Sequence, residues 1–189
     1  MSKNQKQILQ KTVILFLISS SVYYYTGGLI LTMNKFLKYA LSIVLCLSTG
    51  AVGTIFTVSA IPTWYTTLVK PSFSPPNWIF GPVWTTLYIL MGISLATIWE
   101  KGIKSGRFRE AIYLFLAQLA INAVWSPVFF GAKNLFLALI IIIFMWIFIV
   151  KTILSFRKIS KFAAYLLYPY IAWVSFASIL NFSIWFLNR

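Results

Sequence analysis

The sequence predicts an all-α membrane protein, a five-transmembrane-helix bundle with a Pro/Trp-rich loop between the first and second spans. Hydrophobic residues make up 60% of the 189-residue chain and charged residues only 10%, at a mean hydropathy of +0.87, well outside the soluble range. The apolar residues also gather into runs of roughly 20, the length a helix needs to cross the hydrocarbon layer. These runs lack the period-2 alternation of a membrane barrel, and helices satisfy every backbone polar group within the segment. The expected spans are residues 36–60, 79–99, 110–130, 135–154 and 164–187.

Ahead of the first span, residues 12–32 (TVILFLISSSVYYYTGGLILT) are also long enough to cross. As a sixth span they would carry Lys3, Lys6 and Lys11 outside and squeeze the return into a few residues around Met33 and Lys35. A basic start before a short apolar core also resembles a signal peptide, but Tyr23, Tyr24 and Tyr25 fit a small-residue cleavage site poorly. The simplest division treats 1–32 as an apolar N-terminal extension outside the native core, Met33 as the natural start and 33–189 as the membrane domain. Within the first span the lone Cys46 forms no internal disulfide and reads as a small buried apolar residue.

The segment from Trp64 to Tyr88, WYTTLVKPSFSPPNWIFGPVWTTLY, holds four prolines and three tryptophans. Proline fixes φ and withholds a donor, so Lys70-Pro71 and Ser74-Pro75-Pro76 make a stiff, extended connection. Trp64, Lys70, Pro71, Phe73, Pro75, Pro76 and Trp78 are expected to form a lid presenting flat apolar faces. An interfacial aromatic belt is the plainer alternative.

Residues three and four apart share a helix face. The second span thereby aligns Phe80, Trp84 and Tyr88; the third Gln118, Asn122, Trp125, Ser126 and Phe129; the fifth Pro169, Trp173, Ala177, Asn181 and Trp185. Amides are costly in lipid, so Gln118 and Asn122 should face the bundle, bonded to other helices or to a bound molecule. Ala177 leaves room between rings, for a ligand or for close helix approach. The nearly uniform fourth span, LFLALIIIIFMWIFIV, is expected to contact lipid broadly.

The net charge of +14 resides in short loops. Lys35, Lys38, Lys101, Lys104, Arg107, Arg109, Lys151, Arg157, Lys158 and Lys161 fall on one side of a five-span bundle, and only Lys70, Lys133 and Arg189 on the other. The positive-inside rule makes the loops after the second and fourth spans cytoplasmic and puts the Pro-rich loop outside. No basic patch is set among exposed aromatics in a polar domain, so nucleic acid is not an expected partner.

The chain has no His and no Asp, and its only acids are Glu100 and Glu110. That removes acid-base triads, paired-carboxylate hydrolysis and zinc or di-iron centres, so neither catalytic nor metal-ligating residues are assigned. Haem iron would be left with Cys, Met or Tyr as ligands, which argues against a permanently ligated haem. The two acids read as loop charges near Lys104, Arg107 and Arg109. Binding by shape and stacking is what the composition permits.

The pieces WYTTLVKPSFSPPNWIFGPVWTTLYILMG, QLAINAVWSPVFFGAKN and PYIAWVSFASILNFSIWFLN, in this order and spacing, resemble the TspO/MBR family of tryptophan-rich sensory and translocator proteins, over about Met33 to Arg189. The resemblance implies a five-helix bundle, often a homodimer, that is a receptor or carrier for tetrapyrroles. It implies no obligatory cofactor, with porphyrin or haem as ligand, and a cavity closed by the first loop. Matched to the family motif, Tyr65, Trp84, Asn122, Trp125, Ser126, Trp173 and Ala177 would bind ligand, with Trp84 and Trp173 flanking the macrocycle. Animal relatives also take cholesterol and benzodiazepine-type drugs. Here Phe182 replaces the tyrosine of the cholesterol pattern and Arg189 comes late, which argues against a sterol partner. Two other functions fit the resemblance: light-dependent porphyrin degradation with Trp84 and Trp173 as redox partners, and a ligand-responsive regulatory scaffold.

Overall fold

The computed structural model describes residues 33–102 and 105–189. The expectations for the extension 1–32, for Met33 as a start and for Lys104 involve residues wholly or partly outside the described ones. Helix α1 runs Lys35–Ala60, and a short α2, Trp64–Thr67, opens the loop. A 3₁₀ turn at Asn77–Ile79 leads into α3, Phe80–Gly102. Helix α4, Phe108–Ser126, continues through a π-helical turn at Pro127–Gly131, and α5 (Leu135–Arg157), α6 (Lys161–Tyr165) and α7 (Tyr168–Leu187) follow.

Among the described residues, five helical stretches are long and apolar enough to cross a membrane: 35–60, 77–102, 108–131, 135–157 and 161–187. They reproduce the expected spans to within a few residues. Polar side chains mark the helix starts. Asn134 caps α5 by accepting from the Leu137 amide at 2.9 Å, and Ser160 caps α6 by accepting from Ala163 at 3.4 Å. Pro169 sits in the first turn of α7, where no donor is needed.

The expectation of broad lipid contact for the fourth span is corrected. One stripe of α5, including Ala138, Ile142, Met145, Ile149 and Phe156, is buried in the core, while Phe144 and Ile147 on the other side are exposed. In a bilayer both faces of a helix are apolar, so composition alone does not reveal which one packs inward. Trp146 donates its indole N–H to Ser175 Oγ of α7 at 2.9 Å, which satisfies it outside the core.

Small residues let α1 approach α3 closely. A Cβ on Gly92 would lie 2.5 Å from the Cα of Ile43, and one on Gly50 would lie 2.5 Å from the ring of Tyr88. Glycine at such crossings trades a side chain for backbone contact, the main source of helix association where lipid offers no hydrophobic drive. Near the opposite end of α3, Tyr39 of α1 donates to Glu100 at 3.5 Å.

Candidate functional site: an aromatic cavity beneath the loop

A cavity of about 480 Å³ lies between α1, α3, α4 and α7, with Ile142 and Met145 of α5 at its wall. Its volume falls within the range of small-molecule sites. All seven residues expected to contact ligand line it: Tyr65 from α2, Trp84 from α3, Asn122, Trp125 and Ser126 from α4, and Trp173 and Ala177 from α7. Four separate elements therefore converge on one space.

The rings brace one another. Phe80 meets Trp173 edge-on at 5.8 Å between centroids, Trp84 stacks on Tyr88 at 5.5 Å, and Trp125 stacks on Phe129 at 4.9 Å. Such pairs are worth about 0.5–1.5 kcal/mol each beyond area burial, enough to hold the planes in place. The indole N–H of Trp173 is buried and has no hydrogen-bond partner among the described residues. The atom has less than 1 Å² of accessible surface, so it is a local cost of the packing and not a contact offered to the cavity.

Behind the cavity runs a polar chain. Tyr88 donates to Asn122 Oδ1 at 2.7 Å, the Asn122 amide donates to Tyr170 Oη at 3.0 Å, and Tyr170 donates to Gln118 Oε1 at 2.9 Å. Gln118 and Asn122 thus bind other helices, one of the two expected alternatives. Asn122 still faces the cavity with one N–H and one acceptor lone pair beyond these bonds. Trp125 donates to Asn181 Oδ1 at 3.3 Å, and Asn181 in turn donates to the Leu135 carbonyl at 3.1 Å. Asn122→Leu would leave the buried Tyr88 hydroxyl without its acceptor and Tyr170 bonded to Gln118 alone. It is expected to cost about 2 kcal/mol, read as a lower melting temperature in detergent.

The π-helical turn follows from proline. Pro127 has no N–H to donate backwards, and its carbonyl accepts from Ala132, five residues on, at 2.8 Å. The widened turn brings both Phe129 and Phe130 to the cavity wall, under the loop. Lys133 closes it with a left-handed φ of 54°, a conformation that ends helices but is uncommon outside glycine and asparagine.

Of the seven residues assigned to the lid, Trp78 lines the cavity itself. Trp64 packs edge-on against Phe129 at 5.9 Å, Lys70 Nζ lies 4.5 Å from the centroid of the Tyr65 ring, and Phe73 meets Phe176 at 6.3 Å. Pro71 accepts from the Ser74 amide and Pro76 from Ile79, which makes the two tight turns of the loop. Pro75 lies between them. Burial pushes the Tyr65 hydroxyl above its ordinary range, and a hydrogen bond with Ser74 offsets this in part. The loop is also fastened to the chain end. The Val69 amide donates to Asn188 Oδ1 and Asn188 Nδ2 donates to the Val69 carbonyl, both at 2.9 Å.

Helix α1 contributes Leu47, Gly50, Gly53, Thr54 and Thr57 to the wall, none of which was expected from the aromatic stripes. The available signal was the run of small residues at helical spacing, Gly50, Gly53 and Thr57. Tyr170 was missed as well, because it lies outside the stripe that begins at Pro169.

The sequence profile described as the TspO/MBR family matches residues 42–186. The chain belongs to the TspO/MBR family. The tryptophan-rich protein TspO of Chlorobaculum tepidum is 49% identical over 157 residues, covering 82% of this chain and 99% of that one. The tryptophan-rich sensory protein of Cereibacter sphaeroides is 36% identical over 153 residues, covering 80% and 94%. The human translocator protein is 40% identical over 126 residues, covering 65% of this chain and 73% of that one. Membership and the five membrane-spanning helices together make this a multi-pass membrane protein of the TspO type.

Proposed function

We propose that this TspO-family protein is a membrane receptor or carrier that holds a tetrapyrrole, such as a porphyrin, in the cavity beneath the loop. The observation that carries this reading is the convergence of Trp84, Trp125 and Trp173 from three helices on one space of about 480 Å³. Flat rings suit a flat ligand, and the remaining N–H and acceptor lone pair of Asn122 suit one with polar edges. Burying several hundred Å² of ring at roughly 25 cal/mol per Å² supports micromolar affinity after association costs. The same reading places the loop on the outer side and the basic turns after the second and fourth spans in the cytoplasm.

The test is a titration of the purified protein with protoporphyrin IX, followed by quenching of tryptophan fluorescence. Trp173→Ala is expected to weaken binding by about 2 kcal/mol, roughly thirtyfold, through lost ring contact. An unaltered affinity would remove Trp173 from the site, and a wild-type protein that shows no saturable quenching would sink the tetrapyrrole assignment.

A further inference from the structure

We infer that the cavity exchanges its occupant sideways with the hydrocarbon layer, through a cleft between α1 and the start of α3, while the loop above stays shut. The probe used in the first test below rests on the tetrapyrrole reading; the cleft itself rests on geometry. Several residues that line the cavity are at the same time exposed on the outside of the bundle: Ala51, Thr54 and Val58 on α1, and Trp78, Gly81 and Thr85 on the facing side. A residue that borders the interior void and the exterior at once stands at an opening.

The opening is wedge-shaped. At its deep end α1 and α3 close on each other, where Gly50 meets Tyr88 and Gly92 meets the backbone of Ile43. Towards the loop they separate, and at Gly81 a Cβ would meet no atom of another element within 4 Å. Thr54 lies six residues before the end of α1 at Ala60, which is roughly 9 Å along the axis at 1.5 Å per residue. A helix of 26 residues is about 39 Å long, against a hydrocarbon thickness of about 30 Å, so Thr54 lies within the apolar layer. Beside Thr54 and Thr85, whose hydroxyls are bonded within their own helices, the mouth exposes large apolar side chains, with Ile55 at 72%, Val58 at 65% and Trp78 at 74% of full exposure, which suits contact with lipid hydrocarbon.

The route from water is fastened by comparison. The loop is held on one side by the reciprocal Val69–Asn188 bonds and by Phe73 on Phe176. On the other it is held by Trp64 and Tyr65 packed on Phe129 and Phe130. An occupant entering through the loop has to break several of these contacts, whereas one entering from the bilayer passes a gap already formed. The class of ligand this favours is one that partitions into the membrane before it binds.

The first test uses the full chain in phosphatidylcholine nanodiscs, with protoporphyrin IX binding followed by stopped-flow fluorescence. Gly81→Trp adds a ring at the mouth, where nothing beyond the chain neighbours and the helix's own backbone lies within 4 Å of the new Cβ. It is expected to slow association by about tenfold or more, with dissociation slowed alongside, because a portal changes the barrier to both directions. Asn188→Ala, which loosens the loop, is expected to leave both rates within about twofold. Unchanged rates in Gly81→Trp, or markedly faster exchange in Asn188→Ala, would overturn the inference. Absence of porphyrin binding by the wild type would instead count against the proposed function, and a second measurement decides the portal without porphyrin. In a Cys46→Ala, Ala177→Cys protein the cavity thiol is challenged with a bilayer-dissolved pyrene maleimide or with a charged, water-borne thiosulfonate. The bilayer reagent should react faster, and Gly81→Trp should slow it. Equal or faster labelling from water, or indifference to Gly81→Trp, defeats the inference.

Discussion

Gly92→Val is expected to lower the melting temperature in detergent by about 10 °C and to displace α1 from α3. The new Cβ alone would sit 2.5 Å from the Cα of Ile43, with the Ile43 amide nitrogen at 2.8 Å. Backbone cannot rotate out of the way as a side chain can, so the two helices must separate. Overpacking of well-filled interiors costs about 1–3 kcal/mol where side chains can yield, and a backbone clash belongs at or above the top of that range. For a chain of this size about 3 kcal/mol corresponds to several degrees or more. Thermal unfolding by circular dichroism provides the measurement, and a melting curve unchanged from wild type would mean that the α1–α3 crossing is looser than described. Gly81→Ala on the same helix is the control, because nothing beyond its chain neighbours and the helix's own backbone lies within 4 Å of that Cβ.

The second large effect is on ligand. Ala177 lines the cavity on α7 one helical turn beyond Trp173 and one before Asn181. Ala177→Phe puts a ring into the space that a macrocycle would fill between the tryptophans. Protoporphyrin affinity is expected to fall by about a hundredfold, or ~2.8 kcal/mol. Stability should hold within about 1 kcal/mol, since the added ring enters a void and not a packed core. Quenching titrations read the affinity and thermal melts the stability. Retained affinity in a folded Ala177→Phe protein would place the ligand elsewhere in the molecule.

Much of this architecture was legible in the chain because its signals are local. The spans follow from apolar length, and helical spacing aligns Trp84 with Phe80 and Tyr88, Asn122 with Trp125, and Trp173 with Ala177, each pattern within its own helix. The lid followed from the fixed φ of proline. What was hidden depends on pairing between helices. The buried stripe of α5 could not be told from its lipid-facing stripe, because Ile142 and Ile143 are chemically identical while one is buried and the other exposed. The wall supplied by α1 consists of residues valued for small size, and glycine or threonine in a membrane helix announces close approach without naming the partner. Tyr170 acquires its importance from Asn122 and Gln118, 48 and 52 residues away in sequence.

The clasp between Val69 and Asn188 joins groups 119 residues apart, and it lies at the second-last position of the chain. The residues that follow α7 are therefore a structural part of the loop region. A purification handle fused directly after Arg189, or a trimmed terminus, would pull on the only amide that grips the loop backbone from both sides among the described residues. Such changes therefore act on how firmly the loop is held, while filling of the cavity through the α1–α3 cleft proceeds beneath it.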